Sequence, residues 1–167
     1  AFFSAAHPTI SAGNQSNLAA AADLSEATLE TILTNIQKIT DDRGILIGAS
    51  ARSLHIPVDS WAIADRIMSS PGNTQTSAAA ANPNNNAINA TRHLGMLPDG
   101  YYINRRFTDT DAYFVKTDVP NGAKMFNRTP LQTKMEPDFD TGNLRFKARE
   151  RYSFGVSDWR GYFGSAG

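Results

Sequence analysis

Hydrophobic positions change their period several times along this chain. Residues 1–22 follow neither period 2 nor period 3.6; Gly13, Asn14, Ser16 and Asn17 lead into a run of alanines, which reads as an extended lead-in. From Asp23 the spacing becomes helical. Leu29, Ile32, Leu33 and Ile36 recur at i, i+3, i+4 and i+7, Asp23 and Glu26 resemble a capping pair, and Gly44 follows the last turn. The pattern predicts a helix over roughly 25–40.

Short apolar runs come next. Ile45-Leu46-Ile47 and Ser53-Leu54-His55-Ile56, divided by Gly48 and closed by Pro57, predict two strands or one interrupted strand. Asp59 or Ser60 is placed to cap a helix over Trp61–Met68, which Pro71-Gly72 ends. Strand, cap, helix and stop make a β–α step. Residues 70–90 are low in complexity, with four alanines at 78–81 and then Asn82-Pro83-Asn84-Asn85-Asn86, and read as an exposed tip. Beyond Gly95 the chain turns β-rich, with strands predicted at Gly100–Asn104, Ala112–Lys116 and Leu131–Glu136 between the turn signals Pro98-Asp99-Gly100 and Pro120-Asn121-Gly122.

The last strand alternates most cleanly. Leu144, Phe146, Ala148, Tyr152, Phe154 and Val156 fall on even positions, and Arg145, Lys147, Arg149 and Arg151 on odd ones; only Glu150 breaks the series. A strand with this alternation puts one apolar face on a core and a basic face outward. The four cations span about 20 Å at ~3.4 Å per residue. That spacing suits a phosphate backbone or an acidic neighbouring subunit, and it also suits a solvated outer face. Aromatic interleaving of the kind that reads RNA is missing from it.

Composition narrows the chemistry. The 167 residues suffice for one ordinary domain or two small lobes. Cysteine is missing, so disulfides, thiolate metal sites and a Cys nucleophile are excluded. Sixteen Lys and Arg balance sixteen Asp and Glu, so contact with a polyanion has to come from local patches. No run approaches the ~20 apolar residues of a membrane span, and no membrane partner is expected. The start at Ala1 shows no signal peptide and reads as a processed or truncated end.

His7, His55 and His93 are scattered without metal-ligand spacing. The serines lack a strand–G-x-S-x-G–helix context. Asp138-Phe139-Asp140-Thr141-Gly142 departs from a calcium loop, because Gly142 takes a ligand position and Arg149 stands where the closing Glu belongs; it reads as a hairpin turn. Asp41-Asp42-Arg43-Gly44 reads as a helix-exit turn. The expectation is a protein with no catalytic residues, no metal and no cofactor.

Several segments, taken in order, resemble the major capsid proteins of tailed phages, the Hong Kong 97-like coat proteins. Phe3-Ser4-Ala5-Ala6-His7-Pro8, Gly13-Asn14 and Asp23-Leu24-Ser25, leading to Asp41-Asp42-Arg43-Gly44, resemble the stretch between the extended loop and the peripheral-domain helix. Ser53–Pro57 with Ala64-Asp65-Arg66-Ile67-Met68 resembles the strand, proline and helix entering the axial domain. Arg149-Glu150-Arg151-Tyr152-Ser153-Phe154-Gly155-Val156 and the following Ser157–Gly161 are similar to the closing strand and tail.

The resemblance implies an α+β fold, with a helix and a mixed or antiparallel sheet in the peripheral domain and an inserted α/β axial domain. It divides the chain into an extended lead-in (1–22), the peripheral-domain helix (23–44), the axial domain with its polar tip (45–130), and return strands with a tail (131–167). The N-terminal arm, the extended loop and most of the spine helix have no counterpart, so this is expected to be the C-terminal portion of such a coat. The implied function is a structural one: hexamers and pentamers forming an icosahedral shell around dsDNA in the virion, assembled in the host bacterial cytoplasm. Portal, scaffold and decoration proteins are further implied partners. Arg145, Lys147, Arg149 and Arg151 become candidates for a subunit-facing or DNA-facing strand. Gly72, Asn73, Asn82, Pro83, Asn84 and Asn85 become candidates for the capsomer-axis loop. An encapsulin-like compartment shell, or a stand-alone nucleic-acid-binding module using strand 145–151, are the alternative readings.

Overall fold

Helix α1 (Glu26–Gln37) begins where two hydroxyls can satisfy its first turn. The Ser25 hydroxyl accepts from the Thr28 amide at 3.2 Å, and the Thr28 hydroxyl accepts from the Ser25 amide at 2.9 Å. This box replaces the expected Asp23–Glu26 pair for a steric reason: Glu26 is the first helical residue and lies two residues short of Thr28, the position that can reach back. Glu26 is buried instead. Leu29, Ile32, Leu33 and Ile36 form the buried stripe that the helical period predicts.

A computed structural model describes residues 2–11, 13–72 and 88–167. After α1 the chain reverses at Asp41, whose carboxylate accepts from the amides of Arg43 (2.7 Å) and Ile45 (2.9 Å), with Gly44 at φ 87°. The Ile45 amide in particular holds this carboxyl below its ordinary range. The predicted strand over Ile45-Leu46-Ile47 is corrected here. These residues run back along the end of α1, through Ile47 N–H to Ile39 O and a single bridge from Leu46 to Thr40, and remain exposed.

The central sheet has strand order β4-β3-β5-β8. Strand β3 (Ala51–Ile56) leads through a 3-10 turn over 58–60 into α2 (Trp61–Ser69), then α3 (Ala90–His93), and returns as β4 (Tyr101–Ile103), parallel to β3. This is the predicted β–α step. Ser60 occupies the cap of α2 but makes no side-chain capping bond, because the preceding 3-10 turn already feeds the helix. Strands β5 (Tyr113–Thr117) and β8 (Tyr162–Ser165) complete the sheet in antiparallel register. Leu54, Ile56, Tyr113, Val115 and Phe163 join the α1 stripe, Ala64 and Ile67 in one core. The mixture of sheet and helices is the expected α+β class.

The lead-in is built into this body. Its strands β1 (His7–Pro8) and β2 (Asn14–Gln15) pair antiparallel, and Ala19 N–H donates to Gly164 O beside β8. Phe3 packs at a tilt against Phe114 and Phe2 meets Tyr162 edge-on, over the second face of the sheet, with ring centroids 5.0 and 5.8 Å apart. Asn17, fully buried, ties the two ends of the chain together. Its amide donates to Phe2 O, Trp159 O and Tyr162 O, and its carbonyl oxygen accepts from Ser4 N–H.

Candidate functional site

The longest elements are the least buried. Strands β6 (Ala123–Pro137) and β7 (Leu144–Val156) pair only with each other, as a hairpin roughly 45 Å long at ~3.3 Å per residue. Its tip is the predicted turn. Asp138 N–H donates to Asn143 O, Gly142 N–H donates to Asp138 O, and Gly142 takes φ 68°. Arg145 clasps Asp138 at 2.6 Å beside this turn.

The hairpin's root is tight. Asn121, at φ 68°, offers its carbonyl to the amides of Ser157 and Asp158 at 3.2 and 2.8 Å. Gly122 and Gly161 meet backbone to backbone next to it. Midway, the β6–β7 register slips between Asn127 and Thr129 and again between Thr129 and Gln132. Pro130 sits inside that interval, and its missing N–H is what an irregular stretch of strand accommodates.

The pairing sorts the hairpin into two faces. Met125 lies opposite Phe154, Met135 opposite Phe146, and Pro137 opposite Leu144. On the other face Glu136 lies opposite Arg145, Lys134 opposite Lys147, and Gln132 opposite Arg149. The alternation of β7 is therefore as expected, but its destination is not. The apolar side does not reach a core of this chain: Phe146 is 65% exposed, Phe154 71% and Leu131 64%. A two-stranded hairpin has one layer of side chains on each face, and among the described residues the body places no further layer over either, so both faces stay open to whatever lies outside.

A sequence model of the phage capsid protein family matches residues 1–163. The chain belongs to that family. No curated protein matches it. A phage capsid protein works as many copies in one shell, so further copies are at hand to cover an apolar face that a lone chain leaves in water.

Arg145, Lys147, Arg149 and Arg151 all lie on β7, and Lys134 joins them across the ladder, a partner not foreseen from β7 alone. Gly72 bridges to Ile88, while Asn73, Asn82, Pro83, Asn84 and Asn85 lie outside the described residues. His7 stacks on Trp159 with ring centroids 4.2 Å apart and contacts Asn17 Oδ1; His55 stacks on Tyr102; His93 ends α3. The three histidines do not converge. Among the described residues no group of His, Asp and Glu is placed to hold a metal.

Two environments away from the hairpin shift proton affinities. Burial, and then the Lys116 charge, push His55 below the usual imidazole range. Asp109 and Asp111 share a hydrogen bond that lowers the first and raises the second; partial desolvation and repulsion from Asp109 and Asp23 raise Asp111 further.

Proposed function

We propose that this phage capsid protein is a shell subunit of the Hong Kong 97-like kind, assembling as hexamers and pentamers into an icosahedral container for dsDNA. The observation that carries this reading is the uncovered apolar face of β6–β7. A face of two phenylalanines, a tyrosine, two methionines and two leucines left in water at ~25 cal/mol per Å² calls for an apolar partner. Ring assembly from different patches of identical chains supplies that partner without catalysis.

In this arrangement α1 and the turn at Asp41–Gly44 belong to the peripheral domain. The unit β3-α2-α3-β4 belongs to the axial domain, and the bridge from Gly72 to Ile88 marks the side of it nearest the capsomer axis. The boundary expected at residue 130 falls inside β6, so the hairpin Ala123–Val156 is better taken as one unit than divided between the axial domain and the return strands. Portal, scaffold and decoration proteins are the further partners of such a shell. Host-cell assembly of the virion goes with it.

Electron microscopy of particles assembled from the full coat protein tests the proposal. Uniform polyhedral shells with six-fold and five-fold capsomers, holding nuclease-protected duplex DNA, are the expected result. A protein that stays monomeric in a sedimentation experiment across concentrations overturns it.

A further inference from the structure

The zero net charge of the chain conceals a division. Residues 123–156 carry seven Lys and Arg against four Asp and Glu, so the hairpin is at +3; the remaining residues carry nine against twelve, so the body is at −3. Lys134, Lys147 and Arg149 cluster on one face of its outer half. Lys134 stands directly across from Lys147, and Gln132 across from Arg149. Like charges at opposed positions of a two-stranded ladder repel one another. Glu136, 3.9 Å from Lys134 and as exposed as its partner, offsets little of this, and Arg145 is already engaged by Asp138. Lys147 and Arg149 form no ion pair among the described residues. The isolated fold gains nothing from this cluster. An external anion would satisfy it.

The body holds a matching excess of carboxylates. Asp23 and Asp109 are exposed, Asp111 is half-buried, and none of the three pairs with a Lys or Arg among the described residues. The hydrogen bond from Asp109 first, then partial desolvation, and then repulsion from Asp109 and Asp23 make Asp111 bind its proton more tightly than usual. Duplex DNA would also satisfy the cations. It would leave the body's charge unmatched, whereas a second copy of the chain brings a body of opposite net charge.

Building on the shell reading above, we propose that the basic face at Lys134, Lys147 and Arg149 of one copy docks on the acidic corner of Asp23, Asp109 and Asp111 of a second copy. The basic strand is then a subunit contact and not a grip on packaged DNA. Because donor and receptor patches differ, each copy can give one contact and receive another, which is how a ring propagates. The apolar face, on the opposite side of the same hairpin, remains free for its own cover.

A charge exchange in the full coat protein tests this. Lys134→Glu with Lys147→Glu, and separately Asp23→Lys with Asp109→Lys, are expected to cut particle yield at least ~10-fold, as like charges meet at the contact. The four substitutions together are expected to bring the yield back to within ~3-fold of the wild type, because the pairing is restored with its sign reversed. All four positions carry solvent-facing side chains, so thermal melting verifies that each variant folds. Double variants that assemble at wild-type yield but protect less DNA assign the face to nucleic acid and overturn the docking. Folded double variants whose combination fails to recover assembly overturn the pairing with this corner. A wild-type coat that forms no particles sinks the shell reading itself, and the docking with it.

Discussion

Gly161 faces Gly122 so closely that a Cβ added at Gly161 would lie 2.6 Å from the Gly122 Cα. This contact is where the hairpin leaves the body, because the Asn121 carbonyl holds Ser157 and Asp158 on the returning strand beside it. Backbone cannot swing aside as the end of a long side chain can. Gly161→Ala therefore forces the two segments apart, with an expected loss of about 1–3 kcal/mol from overpacking. At ~2–4 °C per kcal/mol for a chain of this size, calorimetry should register a fall in Tm of several degrees. An unchanged Tm would mean that the root is looser than this contact indicates.

Asn17 gives a second test, this time of how the chain's two ends are joined. One buried amide serves the carbonyls of Phe2, Trp159 and Tyr162 and accepts from Ser4. Asn17→Ala leaves these groups without partners in a buried place, at an expected cost of about 2–4 kcal/mol. Asn17→Asp keeps the acceptor for Ser4 but withdraws the donor from three carbonyls, so it should rescue little. Limited proteolysis is the measurement. Cleavage within the lead-in should appear early in both variants and late in the wild type.

Local rules made the body largely legible. The α1 stripe, β3 closed by Pro57, the helix over Trp61, and the strands at Tyr101 and Tyr113 follow from hydrophobic period and from Pro and Gly punctuation. The misreadings came from tertiary competition. Ile45-Leu46-Ile47 has the composition of a strand, but the Asp41 turn commits its amides and carbonyls to the end of α1. The lead-in has no period because its order comes from Asn17 and from rings packed on a distant sheet, which no window of sequence reveals.

The candidate surface was half legible for a related reason. Alternation along β7 reports that one face is apolar, yet it is silent on what covers that face. Core and subunit interface have the same signature in one strand. The mate of β7 was harder to see, since the slipped register around Pro130 cuts β6 into pieces too short to read as a single strand of 15 residues. Leu131–Glu136 was visible as its distal piece only. The like-charge pair Lys134–Lys147 needs both strands and their register, so it lay beyond any reading of either strand alone.

His55 makes stability depend on pH in a definite direction. Its folded affinity for protons is depressed by burial first and by Lys116 second, below the value of 6.5 that it regains on unfolding. Over the interval beneath 6.5 the unfolded chain therefore binds more protons, and stability falls as the pH is lowered through it. Above 6.5 both states hold a neutral ring and the contribution is complete. Denaturant midpoints at pH 7.5 and pH 5.5 should differ more for the wild type than for His55→Gln. Equal pH slopes for the two proteins would place the ring in ordinary contact with water.

Phe146 and Phe154 separate folding from assembly. Both rings stand in solvent in the single chain, so replacing them removes little that the fold depends on; solvent-facing substitutions usually stay within ~0.5 kcal/mol. Their value arises when a second copy covers them, where full burial of each ring is worth about 2–3 kcal/mol. A Phe146→Ser, Phe154→Ser double variant should thus melt close to the wild type and yet sediment as unassembled subunits. The opposite pattern, a large fall in Tm with particles still forming, would show that the hairpin packs onto its own body in solution and that the open face is not the shell contact.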